Sequence, residues 1–261
     1  MNAADTRSGS TEENAVDGGH LLAAGIGSAA VDLSFPIDSD HFRWRHERTV
    51  VDTLDDGGPF ETSRFAMSAH AFTHADAPAH VVADGGGLET MPPTTWIGRA
   101  LVADVSTVPE SSPVTATALR EARGDVGHDD ILLIRTDWDR RRDIATPEYW
   151  SDAPWIDPEA ADWIAERHPR AVGFDFPQDA AIRHTLTGRR GGPEEFVTHD
   201  RLLRRGIGLI EYLRGLDRLP GEVLLVAAPI ALTGSDGGPV RATAFPATDL
   251  AMHVRRTKGE L

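Results

Sequence analysis

The sequence predicts a mixed α/β domain built around a substantial sheet. Strand-length apolar runs dominate the first half of the chain, and in the second half such runs alternate with helical stretches. That alternation is the pattern of a sheet packed against helices. No internal repeat and no linker-like composition interrupts the chain after residue 30, so a single domain over 30–261 is expected. Residues 1–29 read as a disordered leader, rich in Gly, Ser, Asp and Glu and without apolar periodicity.

The elements follow in order. "AVDLSFPI" (30–37) and "ERTVVDTL" (47–54) are strand candidates, the second closed by Asp-Asp-Gly-Gly-Pro. A His-rich stretch follows, then a glycine turn and the strand "RALVADVS" (99–106). "TATALREAR" (115–123) reads as a helix and "DDILLIRTDW" (129–138) as a buried strand. "DPEAADWIAERH" (157–168) reads as a helix with Asp157 as N-cap and Pro158 at the first position. "AVGFDF" (171–176) is the next buried strand, and "HDRLLRRG" is a short helix stopped by Gly206. "IGLIEYL", "EVLLVAAPIAL" and "PVRATAF" are the remaining strands.

Composition narrows the partners. A net charge of −15 disfavours nucleic acid and anionic membrane surfaces. The chain has no cysteine, so disulfides and thiolate metal sites are excluded. No apolar run approaches the roughly 18 residues of a membrane span, and no secretory signal is visible. The expectation is a cytoplasmic protein acting on a small aromatic or cyclic molecule.

The chemistry-bearing stretch is "SAHAFTHADAPAHV" (68–81). It places His70, His74, Asp76 and His80 within eleven residues. Pro78 prevents a helix from running through it, so a loop carrying one helical turn is expected. Imidazole and carboxylate ligands suit zinc, manganese or iron(II), and clustered polar groups in an apolar segment must be satisfied by something. Ordinary polar loop residues are the plain alternative. Ala71 stands where a HExxH protease has its general-base Glu, so that motif is absent. Far along the chain stand His199 and Glu211, twelve residues apart. Glu211 shares a strand face with Leu209 and Leu213, where an unpaired carboxylate is costly.

These segments resemble the cyclase family, which includes bacterial kynurenine formamidase and isatin hydrolase. The motif reads His70-Ala-Phe-Thr73-His74-Ala-Asp76-Ala-Pro78-Ala-His80, and "GIGLIEYL" carries the later Glu211. "VGFDFPQD" (172–179) and "AAPIALTGSDGGPVRATAF" (227–245) resemble two further family segments, in the same order. The resemblance implies the swivelling β/β/α fold with a mixed sheet, and a homodimer or homotetramer. It implies a divalent metal, Zn or Mn, as one or two ions held by His70, His74, Asp76, His199 and Glu211. It also implies His80 as the catalytic general acid/base.

Phe72 replaces the family's glycine, and Phe176 and Gln178 replace a Thr and a frequent Ser. Those positions make Phe72, Phe176 and Gln178 the expected substrate contacts. Asp175 and Asp179 are candidates to be metal ligands, to orient the histidines or to cap structure. Asp236 and Arg241 are expected to pair. The loop 187–195 is a candidate lid, and Trp138, Trp150, Trp155 and Trp163 are expected to pack a subdomain or subunit contact.

The expected activity is hydrolysis of an amide or lactam C–N bond, as in arylformamidase, by attack of metal-bound hydroxide on the carbonyl. A ring-closing or lactone-opening tailoring enzyme is the alternative on the same metal site. An inactive scaffold of the same fold is the alternative from a different class.

Overall fold

The structure is a computed structural model, and it describes residues 30–246. The expected leader lies outside the described residues. The strands in chain order are β1 (Val31–Asp32), β2 (Glu47–Asp52), β3 (Thr62–Ala66), β4 (His74–Asp76), β5 (Ile97–Asp104), β6 (Pro113–Val114) and β7 (Ile131–Arg135). They continue as β8 (Trp155–Ile156), β9 (Ala171–Phe174), β10 (Gly208–Glu211), β11 (Glu222–Val226), β12 (Gly237–Pro239) and β13 (Thr243–Pro246). Nine of them form one mixed sheet in the order β1-β13-β11-β5-β7-β9-β10-β4-β12. The centre, β5-β7-β9-β10, is parallel, and the neighbours on both sides are antiparallel.

Both faces of that centre are buried, which is why β7 and β9 read as unbroken apolar runs. Leu101, Ala103, Leu132, Ile134, Val172 and Phe174 face a core closed by helices. Ala100, Val102, Ile131, Leu133 and Ala171 face a second core. Leu33, Ala75, Val223, Leu225 and Ala244, from the outer strands, complete that second core. The sheet therefore curls over itself. A bridge between Ser34 and Leu213 ties the end of β1 back to the end of β10. A Cβ at Gly173 would lie 2.7 Å from Leu133 and Leu213 methyls, so the closest packing of the curl needs a glycine there.

The helices begin where the sequence marks them. In α1 (Ala116–Arg123) the Thr115 hydroxyl accepts from the Ala118 N–H at 3.2 Å. In α2 (Pro158–Arg167) Asp157 accepts from the Ala160 N–H at 2.6 Å, with Pro158 in the first turn where no N–H is needed. The short α3 (Val197–Arg201) follows the loop 187–195. No helix among the described residues is long and apolar enough to cross a membrane.

Several expectations change. The segment 30–37 shortens to two strand residues plus the Ser34 bridge. The expected loop at 70–80 contains β4, whose three residues are all buried. Trp138, Trp150 and Trp163 lie inside the helix-side core instead of marking a separate contact surface. Every residue of strands β2 and β3 is exposed, Val50, Val51 and Phe65 among them.

At the end of β9, buried Asp175 holds the turn that leaves β7. It accepts from the Thr136 N–H at 2.9 Å, the Thr136 hydroxyl at 2.6 Å and the Asp137 N–H at 2.9 Å. Asp175→Ala strands these buried donors, each worth about 1–3 kcal/mol when unmet. Urea unfolding at constant m-value should show a loss of at least about 2 kcal/mol. A loss below about 0.5 kcal/mol would contradict this role for Asp175.

Candidate metal centre

The site is written by strand register. In β4, His74 and Asp76 are two residues apart and share a face, while Ala75 points into the second core. In the antiparallel β10, Glu211 pairs directly with His74, and Leu209 pairs with Asp76. Directly opposed residues stand about 5 Å apart at Cβ, so Glu211 and the two β4 ligand candidates converge. On the other side of β4, Gly237 of β12 pairs with Asp76. A Cβ there would lie 2.6 Å from the His70 ring, so Gly237 makes the space His70 occupies.

His70 sits in the turn before β4. Its Nδ1 lies 2.8 Å from Asp76 Oδ1 and its Nε2 lies 2.9 Å from Asp236 Oδ2. His199 comes from α3, and its Nδ1 lies 2.6 Å from Asp179 Oδ2. Asp179 also accepts from the Thr198 N–H and hydroxyl at 2.8 and 2.9 Å, which fixes the carboxylate. That aims His199 Nε2 inward, 3.2 Å from Glu211 Oε1 and 3.5 Å from Asp76 Oδ2. His74 Nδ1 donates to the Phe72 carbonyl at 2.8 Å, which leaves Nε2 3.2 Å from Asp76 Oδ1 and 3.6 Å from Glu211 Oε2. Gln178 is fully buried, and its amide donates to Glu211.

The electrostatics follow from two buried carboxylates ringed by imidazoles. Burial alone would raise Asp76, but His74, His199 and His70 hold it well below the usual carboxylate range. Burial and Asp76 both push Glu211 up, and His199 and His74 bring it below its ordinary value. Burial would depress His70, but its bonds to Asp76 and Asp236 raise it to about 9. His80 goes the other way: burial lowers it, and facing His70 and His199 add to that.

Two polar atoms at the centre, His74 Nε2 and Asp76 Oδ2, are buried without a hydrogen-bond partner. Native cores leave few such atoms. Donor atoms of His74, Asp76 and Glu211 lie within 4.8 Å of one another, as do those of His70, Asp76 and His80. The donors are imidazole nitrogens and carboxylate oxygens. This set fits a divalent cation.

The structure thus brings together His70, His74, Asp76, His80, His199 and Glu211 around one cavity of about 730 Å³. The expected substrate contacts lie behind its wall. Phe72, Phe176 and Gln178 do not line the cavity, and each is buried to 2% exposure or less. Phe72 adopts φ +55°, the left-handed region that a glycine occupies freely. Its ring packs against His41 and Trp44, with centroids 5.1 Å away in both cases. The walls come instead from Arg43, Trp44, Val81, Phe196 and Tyr212, with Gly191 and Pro193 from the 187–195 loop. Asp236 faces His70 and His80, and Arg241 pairs with Asp32 at 2.8 Å, so the expected Asp236–Arg241 pair does not form.

Comparison with known proteins supplies context. The model of a family described as putative cyclase matches residues 31–179. A kynurenine formamidase of Bacillus mycoides is 26% identical over 220 residues, covering 83% of this chain and 97% of the relative. A predicted metal-dependent hydrolase from Bacillus stearothermophilus has a TM-score of 0.59 at 26% identity, covering 83% of this chain and 97% of that one. Isatin hydrolase A from Labrenzia aggregata, bound to benzyl benzoate, has a TM-score of 0.72 at 24% identity, covering 87% and 98%.

Phe72→Gly relieves a left-handed backbone worth about 1–2 kcal/mol but empties a ring site worth about 3–5 kcal/mol. Thermal or urea unfolding should show a net loss near 2 kcal/mol. A variant as stable as the parent would mean that the aromatic packing does not hold this turn.

Proposed function

The chain belongs to the cyclase family, and we propose that it is a metal-dependent hydrolase of an amide or lactam C–N bond in a small aromatic substrate. The observation that carries this reading is the unpartnered pair of buried atoms, His74 Nε2 and Asp76 Oδ2, facing Glu211 in a ligand-sized cavity. The 26% identity to a kynurenine formamidase across nearly its full length supports the bond type.

His70, His74, Asp76, His199 and Glu211 would hold the ion or ions. A divalent cation there would supply Lewis-acid polarisation of a carbonyl and lower the pKa of water towards about 7. Asp179 keeps His199 in one orientation, and the Phe72 carbonyl does the same for His74. Gln178 holds Glu211 from behind. Trp44, Phe196 and Tyr212 offer flat apolar walls to an aromatic ring.

His80 is the proton carrier. Its Nδ1 is turned to Asp236 Oδ2 at 3.4 Å, which leaves Nε2 for the reacting groups. Nε2 takes a proton from the attacking water and returns it to the departing nitrogen, which leaves as a neutral amine. Burial favours the neutral imidazole that the first step requires.

The test is hydrolysis of aryl formamides and aryl lactams by the zinc- or manganese-loaded chain, with and without chelator. Turnover that chelator removes is expected, and no cleavage of either class would overturn the reading. His80→Ala should lower kcat about 10²- to 10⁴-fold while metal content is unchanged. Full turnover by that variant would end the role given to His80.

A further inference from the structure

The cavity carries a cation that the hydrolytic chemistry does not use. Arg43 and Trp44 sit in a turn anchored by His41. His41 Nε2 lies 2.9 Å from the Ile144 carbonyl, so it donates there, and Nδ1 accepts from the Arg43 and Trp44 N–H groups at 3.3 Å each. His41 is buried, so this anchor is dry. The turn delivers both side chains to the cavity wall.

The Arg43 guanidinium is held by its face, not by a countercharge. It lies 4.5 Å from the Trp150 ring centroid and 5.9 Å from that of Trp44. One nitrogen, Nη1, donates to the Thr185 hydroxyl at 2.9 Å, and that hydroxyl spends its own proton on the Ile182 carbonyl at 2.6 Å. Nε is buried with no partner. Among the described residues no carboxylate comes within ion-pair distance of Arg43. The contrast is Arg204, on the same cavity wall, which is paired with Asp200 at 2.6 Å.

We propose that Arg43 is the specificity residue of this cavity, and that it receives a carboxylate carried on the aromatic substrate. This rests on the hydrolase reading for the reacting bond, not for the anion subsite itself. A planar guanidinium fixed on indole faces presents its N–H edge with little entropy left to lose, and a carboxylate matches that edge in a two-point contact. Trp44 beside it then stacks the ring that bears the anion. A neutral substrate leaves the N–H edge unmatched.

Two aryl formamides test this, 2-formamidobenzoate and formanilide, which differ by one carboxylate. With the metal-loaded full chain, Arg43→Met should lower the ratio of kcat/KM for the acid over the neutral amide at least about tenfold, chiefly through KM. Arg43→Lys, which keeps the charge on a slimmer side chain, should recover part of the ratio. Benzoate binding, read by the fluorescence of the flanking tryptophans, should weaken in Arg43→Met by a similar factor. A ratio unchanged in both variants, or benzoate affinity equal to the parent's, would overturn the proposal. If the parent cleaves neither formamide, the hydrolase reading fails, and benzoate binding alone decides the anion subsite: weaker binding in Arg43→Met upholds it, equal binding overturns it.

Discussion

Two carboxylates buried side by side, Asp76 and Glu211, are the constraint on which the rest of the site depends. Like charges at close range in a dry interior are unfavourable, and each also loses its hydration. Three imidazoles crowd around them, from His70, His74 and His199, and the distances of 2.8 to 3.6 Å place nitrogen against oxygen throughout. Even so, two atoms at the centre are left without partners. A divalent cation answers both problems, since it neutralises the pair and takes up the free lone pairs. The strand register makes this arrangement unavoidable, because a one-residue slip of β4 would turn His74 and Asp76 into the apolar core.

The surrounding structure holds that register. Both Phe72, just before β4, and Tyr212, just after β10, have φ near +55°. The left-handed residue opens the way into β4 in the first case and ends β10 in the second, and each redirects the chain. The Thr73 hydroxyl donates to the Tyr212 carbonyl at 2.7 Å and accepts from the Phe35 N–H at 2.9 Å, so the two turns and the segment after β1 are locked together. An aromatic group of His41, Trp44, Phe72, Trp150 and Tyr212 packs around this junction. Of this group, Trp44 and Tyr212 line the cavity, and Trp150 and Tyr212 belong to the helix-side core. Backbone strain beside a site is sustained only where the surroundings over-determine it, and these rings do so.

Much of this was legible in the sequence. The spacing of His70, His74, Asp76 and His80 points to a cluster, and the structure brings these side chains together; the apolar neighbours of Glu211 point to a carboxylate that needs a partner. Asp157 and Pro158 marked a helix start where one begins. The β4 strand is not legible, because three residues are too few for alternation to register and the nearby Pro78 is a loop signal. Phe72, Phe176 and Gln178 were expected at the substrate because they sit in the motifs. Sequence adjacency to a ligand does not say on which side of the wall a side chain falls, and a left-handed backbone turned Phe72 inward. Arg43 and Trp44 carried no signal at all, since only the fold of the 36–46 segment brings them to a cavity built about thirty residues later and beyond. Proximity in sequence points Asp236 to Arg241, while the β12–β4 register delivers it to His70.

The most direct test of the central claim is a metal titration of the stripped chain, followed by calorimetry and elemental analysis, beside Asp76→Asn. The account predicts one or two equivalents of zinc or manganese per chain, a raised unfolding temperature on loading, and loss of both in the variant. Failure of the parent to take up either metal would contradict it, as would an Asp76→Asn variant that binds as the parent does.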